Sequence, residues 1–264
     1  MSDRSGRAPT IALADGGLVG FGDDDRAVSN VVGYVLVFSL VTVTIGTVFT
    51  VGLAGVEDRQ EAARVANVER AFEVFDDNVR DIQRYGDPSR STEVRLNGGR
   101  LAVADAATIS VENESGGSIT GPITTRPVEY TNGDTTIAYE AGALFRTDSG
   151  GTAMLSAPRF VADGETVLPV VRLFSVSGAT TAAGDDTVQI EARTPNDGNI
   201  GRFEDSDDPH KIRIESSRAP AWGRYFERTV GFEAVTANET VASATLTETP
   251  VYVRRIAIDI TLRA

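Results

Sequence analysis

Residues able to do acid–base or nucleophilic work are few in this chain. It has one histidine, His210, set between Pro209 and Lys211 at the start of a strand pattern, and no cysteine. The absence of cysteine excludes disulfides, thiolate metal sites and a cysteine nucleophile, and one histidine excludes multi-histidine zinc sites. A triad around His210 would need a serine in a recognisable turn, and no Gly-x-Ser-x-Gly occurs. Neither glycine-rich phosphate-binding signature appears. The densest run of oxygen ligands is Glu204-Asp205-Ser206-Asp207-Asp208, following Asn196-Asp197-Gly198-Asn199. A Ca²⁺ ion needs several such oxygens converging at about 2.3–2.6 Å, but the spacing is not that of an EF-hand, so a solvated acidic loop is expected. Asp76-Asp77 and Asp185-Asp186 carry less signal still. No catalytic residue, metal ligand or cofactor is assigned, and the chain is not expected to be an enzyme.

The elements that would carry any site begin with charge and length. The 264 residues hold 38 Asp+Glu against 25 Lys+Arg, a net charge of −13, and all the basic residues but Lys211 are arginine. Nucleic-acid binding needs a basic face to displace counterions, so a general nucleic-acid binder is excluded. An acidic, nearly lysine-free composition is what chains from very salty surroundings look like, because hydrated carboxylates keep them dispersed when salt screens other charges; ordinary acidity from a GC-rich genome is the alternative.

From Ala27 to Val56 no residue is charged. About 20 apolar residues cross a bilayer as a helix, so this stretch is expected to span once, with overhang. A polar leader containing Asp23-Asp24-Asp25-Arg26 precedes it, an order unlike a secretory signal, whose apolar region follows a basic start and ends in a small-residue cleavage site. One arginine on either side, Arg26 and Arg59, leaves orientation undetermined by charge.

The run Arg26-Ala27-Val28-Ser29-Asn30-Val31-Val32-Gly33-Tyr34-Val35-Leu36 resembles the N-terminus of haloarchaeal type IV pilin-like membrane proteins. It is most similar to large, uncharacterised members beginning Val-Ser-Asn-Val-Val-Gly-Tyr. The resemblance covers about 30 residues and departs at Asn30, where many members have proline. It implies that a prepilin peptidase cuts between Ala27 and Val28, with Arg26 and Ala27 before the cut. It places the leader in the cytoplasm and the chain after Val56 outside, as the C-terminal domain of a single-pass protein of the cell membrane or of a surface filament. The implied partners are the lipid bilayer, other pilin-like subunits and the peptidase. Two glycosylation triplets, at Asn113 and Asn238, agree with an external domain.

Within the apolar stretch Thr42, Gly46 and Thr50 recur at every fourth position, with Ser39 and Gly33 taken as neighbours on the same stripe. Small residues so placed let a second helix approach closely. The alternative is that each threonine bonds its hydroxyl to its own preceding turn and faces lipid.

Beyond the span, Val65, Val68, Phe72, Phe75, Val79 and Ile82 recur at steps of three and four, with charges on the other faces. This predicts an amphipathic helix that packs on the chain's own sheet, a coiled coil being the alternative, and that ends at Tyr85-Gly86. The period then changes to two. Hairpins are predicted at Asn97-Gly98-Gly99, joining 93–96 to 100–103, and at Asn132-Gly133, joining 128–130 to 135–139. Further strands are predicted at 108–111, 153–155, 167–174, 187–192, 211–215, 229–235 and 251–262. A short helix over 218–227 places Trp222, Tyr225 and Phe226 on one face, to staple it to the sheet.

The fold class expected is therefore α+β. A leader (1–27), a transmembrane helix (28–56) and its amphipathic extension (57–86) precede a mainly antiparallel β-rich ectodomain (87–264). The function expected is that of a minor pilin or pseudopilin. A single-pass protein that binds a ligand or partner and never polymerises is the alternative.

Overall fold

A computed structural model describes residues 24–113, 117–195, 200–205 and 210–264. The first element is a 62-residue helix, α1 (Asp24–Tyr85). It ends where Gly86 takes a left-handed conformation (φ 71°) and donates its N–H to the Ile82 carbonyl at 3.1 Å. Contact density divides the chain into two compact units, 1–59 and 60–264. In the first, Val31–Thr50 has a mean hydropathy of 2.2, and this segment is long and apolar enough to cross a membrane.

The second unit is β-rich. After α1 come β1 (Ser89–Arg95), β2 (Arg100–Val103), β3 (Ala107–Asn113), β4 (Ile123–Thr125), β5 (Val128–Asn132) and β6 (Thr135–Glu140). The chain continues through β7 (Ala143–Asp148), β8 (Gly151–Ser156), β9 (Val161–Ala162), β10 (Thr166–Phe174), β11 (Thr181–Ala183) and β12 (Thr187–Arg193). It closes with β13 (Ile200–Asp205), β14 (His210–Glu215), α2 (Ala219–Arg228), β15 (Phe232–Ala237), β16 (Val241–Leu246) and β17 (Val251–Arg263).

Among the described residues these strands form three sheets, in the orders β1-β12-β17-β10-β9, β11-β2-β5-β6-β7-β8 and β15-β16-β14-β3-β4, with β13 also on β17. All described pairings are antiparallel except β10 with β17. The mainly antiparallel, β-rich domain expected after a long helix is what the structure has.

Two cores divide the apolar side chains. The first joins Val65, Val68, Phe72, Phe75, Val79 and Ile82 of α1 to the first two sheets, through residues such as Tyr139, Val188 and Ile258. Phe75 meets the Tyr139 ring edge-on, with centroids 5.2 Å apart. The second gathers Trp222 and Phe226 of α2 with Phe145, Ile212 and Val253. Successive strand side chains alternate between faces, so β7 serves both cores while β6 serves the first. Ile137, Tyr139 and Leu144 enter the first, and Ala143 and Phe145 enter the second. β10 and β17 change face along their length: Leu168, Val170, Val251 and Val253 belong to the second core, Val171, Leu173, Ile256 and Ile258 to the first.

Two of the sequence expectations need correction. Asn97-Gly98 does form a tight turn, with φ of 48° and 86° and the Gly99 N–H donated to Leu96 at 2.8 Å. It does not close a hairpin, because β1 pairs with β12 while β2 pairs with β5 and β11. The turn lies instead along the β11–β12 connection, with Leu96 N–H donating to Asp186 and Gly98 N–H to Gly184. Both connections thus pass between two sheets as one ribbon. Gly99 is held to glycine by Tyr130, whose ring would lie 2.4 Å from an added Cβ and whose hydroxyl donates to the Leu96 carbonyl at 2.7 Å. The second correction concerns α2, which begins one residue later than expected and has no side-chain cap at Arg218. Ser216 Oγ accepts the Arg218 N–H just before it. The hairpin expected at Asn132-Gly133 forms, with Asn132 opposite Thr135.

Candidate membrane anchor and helix-association face

The apolar segment of α1 has its side chains outward. Val31, Tyr34, Leu36, Phe38, Leu40, Val43, Ile45, Val48 and Phe49 are each more than half exposed, and no part of the 31–50 window is buried. Water does not tolerate such a surface. At roughly 0.3–0.6 kcal/mol for each Val, Leu, Ile or Phe at a helix centre, moving this segment into hydrocarbon is worth about 4–7 kcal/mol before the cost of its polar residues. Much of that cost is already met within the helix. Thr42, Thr44, Thr47 and Thr50 donate their hydroxyls to the carbonyls of Phe38, Leu40, Val43 and Gly46, at 2.7–2.8 Å. Such internal bonding lets a hydroxyl face lipid without an unpaired donor.

At 100° per residue, Ser39, Thr42, Gly46 and Thr50 fall within about 80° of one another around α1. Gly33 does not belong with them. Thirteen residues separate it from Gly46, which puts it about 140° round the helix, on the side of Thr44 and Thr47. Both glycines face open space, with no atom of the chain within 4 Å of an added Cβ. The backbone of Arg26, Ala27 and Val28 lies in the first turns of α1. Most of the leader, residues 1–23, lies outside the described residues.

The two glycosylation candidates differ. Asn238 is exposed in the β15–β16 turn, its carbonyl accepting the N–H groups of Thr240 and Val241 at 2.9 and 2.8 Å. Asn113 is half-buried at the end of β3 and accepts the Gly117 N–H at 2.6 Å, while Glu114 and Ser115 of its triplet lie outside the described residues.

The polar chemistry of the second unit is mostly structural. His210 is buried at the head of β14, its backbone registered between Asn113 and Leu246. Glu204 and Asp205, expected in a loop, end strand β13 opposite Tyr252 and Val251. The remaining acidic-run residues Ser206, Asp207 and Asp208, and the preceding residues 196–199, lie outside the described residues. Among the described residues no cluster of three His, Asp or Glu side chains could hold a metal ion. Trp222 and Phe226 are fully buried, Tyr225 is half-buried, and burial pushes the Tyr225 hydroxyl up to about 12. These rings pack with Phe160 and Phe232, and Tyr225 also lines an open cavity of about 340 Å³ beside β8.

Two buried charge clusters went unseen in the sequence. Glu140, 1% exposed, accepts the Trp222 indole N–H at 2.9 Å, the Ser216 hydroxyl at 2.9 Å and Arg218 Nη1 at 3.0 Å. Arg218 also pairs with Glu129, so β5 and β6 are tied to the start of α2. On α1, the buried Asp76 accepts from Arg80 at 2.7 Å and from Ser156 at 2.8 Å. Burial holds its carboxyl above the ordinary range, against the opposing pull of Ser156 and Arg80. Burial, with the Asp76 charge adding to it, drives the Tyr139 hydroxyl well above its ordinary value. Only the pairing of a carboxylate with an arginine four residues later, Asp76 with Arg80, was legible as a motif.

A model described as a family of unknown function (DUF7289) matches residues 26–261, and the chain belongs to that family. No curated protein and no solved structure matches it.

Proposed function

We propose that this member of the family is a pilin-like subunit, a minor pilin or pseudopilin, of an archaeal type IV pilus-like surface or secretion apparatus. The observation that carries the reading is the uninterrupted apolar segment Val31–Thr50, with its large side chains outward and none of its window buried. The sequence around Val28 supports processing by a prepilin peptidase, which would leave Val28 as the new N-terminus of a helix already bound to lipid. The β-rich domain then stands outside the cytoplasm and meets other subunits. The acidic, lysine-poor composition fits a surface bathed in concentrated salt.

The stripe Ser39, Thr42, Gly46 and Thr50 is the helix–helix contact in this reading. Gly46→Leu tests it, since the added side chain meets nothing in its own chain and disturbs only a neighbour. Loss of the chain from sheared surface filaments, with membrane level unchanged, is the expected result.

A second reading is a single-pass protein that binds a partner and never polymerises. It is favoured by the threonine hydroxyls, which are satisfied within their own helix and lie on more than one face, so none needs a partner helix. The intact mass of the chain purified from its native membrane separates the two. A species beginning at Val28 supports the pilin-like subunit, and one retaining Met1 supports the alternative.

A further inference from the structure

The last turns of α1 and strands β10 and β17 enclose an open groove of about 720 Å³. Four arginines line it, Arg80, Arg84, Arg159 and Arg254, with two aspartates, Asp77 and Asp81. Val167 and Pro169 form its apolar wall. In a chain with a net charge of −13, this is a local reversal of sign.

The two aspartates do not neutralise the groove. Asp77 is engaged by Arg80 at 3.5 Å, and Arg80 is engaged further by the buried Asp76. Asp81 is engaged by Arg90 at 3.2 Å. Arg84, Arg159 and Arg254 make no ion pair with a described carboxylate, although Arg159 acts on the buried Asp76 through its field, and all three are exposed. Arg84 lies over the Tyr85 ring at 5.5 Å, and Arg254 gives a single long hydrogen bond, 3.4 Å, to the Gln83 carbonyl. Each guanidinium carries five N–H donors in a planar fork, so most of the donor capacity of these three remains for a ligand.

We propose that this groove binds a compact ligand bearing two or more oxyanions of the carboxylate, sulfate or phosphate type. The fork of a guanidinium matches two oxygens of such a group, and charge-assisted pairs of this kind are shorter and stronger than neutral hydrogen bonds. Three arginines without a carboxylate partner in one groove are matched in charge by a ligand with several anionic groups better than by a single anion. The volume is that of a small-molecule site. The wall formed by Val167 and Pro169 excludes water from one side and strengthens the pairs made beside it. The site belongs to the β-rich unit and does not depend on whether the chain polymerises.

The test uses the full chain in detergent, with citrate and inorganic sulfate as probes and sodium chloride holding ionic strength constant. Titration calorimetry on the native chain is expected to show saturable one-site binding of citrate, tighter than that of sulfate. The triple variant Arg84→Ala, Arg159→Ala and Arg254→Ala is expected to weaken citrate at least tenfold. The control Arg95→Ala, Arg100→Ala and Arg228→Ala removes the same charge from elsewhere on the surface and should change affinity less than twofold. Equal weakening in both variants, or a response that sodium chloride alone reproduces, overturns the site. So does arginine-dependent association between copies without citrate or sulfate binding, which would make the groove a contact for an acidic protein surface.

Discussion

Replacing Phe75 by alanine separates two roles for the seam of α1. The ring is fully buried, edge-on to Tyr139 at 5.2 Å and to Phe72 at 6.4 Å. Emptying such a site removes the transfer energy of the ring and leaves a cavity, together about 3–5 kcal/mol. That is a large part of the 5–15 kcal/mol that holds a typical domain folded. At roughly 2–4 °C per kcal/mol for a domain of this size, the melting temperature should fall by about 6–20 °C. The neighbouring Val74 is 53% exposed on another face of the helix, and Val74→Ala should cost no more than about 0.5 kcal/mol. The assay is thermal unfolding of the full chain in detergent, followed by the fluorescence of Trp222, the chain's one tryptophan. That residue lies in the second core, but strands β7, β10 and β17 contribute to both cores, so its transition should move with the helix variant. If the seam served a coiled coil between copies instead, dilution would change the transition and Phe75→Ala would lower it only at high concentration. A Phe75→Ala transition within about 2 °C of the native one, or one matching Val74→Ala, refutes the packing reasoning.

Two further perturbations address the buried charges. Arg218→Ala leaves Glu140 buried with one charge uncompensated and should cost about 3–5 kcal/mol in urea unfolding, and a change below about 1 kcal/mol would show the tie between β6 and α2 to be idle. Asp76→Asn tests pH dependence: because burial raises the folded carboxyl above its ordinary 3.8, this group favours folding most at low pH, and its contribution is lost as pH rises through the folded value. Asp148 and Glu191, depressed by their arginine hydrogen bonds, act in the opposite sense, contributing above their ordinary values and losing that contribution as pH falls. The variant should therefore gain stability relative to the native chain as pH rises from about 4 to 7, and a constant or falling difference would contradict the assignment.

The long helix was legible because one apolar run and one seam of period three to four are strong signals, and Gly86 marks the stop. The β-rich class was legible from alternation and turns. What failed were long-range choices that local sequence cannot encode. Asn97-Gly98 is a proper tight turn, yet its flanking strands pair elsewhere, because partner selection rests on residues 184–193. The β6–β7 hairpin was missed since its turn uses Ala141 at φ 53° before Gly142, a position alanine rarely takes. Strand β16 was missed because Val241–Leu246 is rich in alanine, serine and threonine. Strand β13 was hidden behind an acidic composition that reads as loop. The arginine groove was invisible because Arg84, Arg159 and Arg254 meet only in the folded chain, and Gly33 does not share a face with Gly46 because 13 residues place it about 140° round the helix.

Alkaline carbonate extraction of cells producing the full chain bears most directly on whether Val31–Thr50 lies in lipid. The native chain should stay with the bilayer, whereas the double variant Val41→Arg and Ile45→Arg, which costs about 6–8 kcal/mol against a favourable total of about 4–7, should pass largely into the aqueous phase. Recovery of the native chain as a monodisperse species in water without detergent would contradict the anchor and everything built on it.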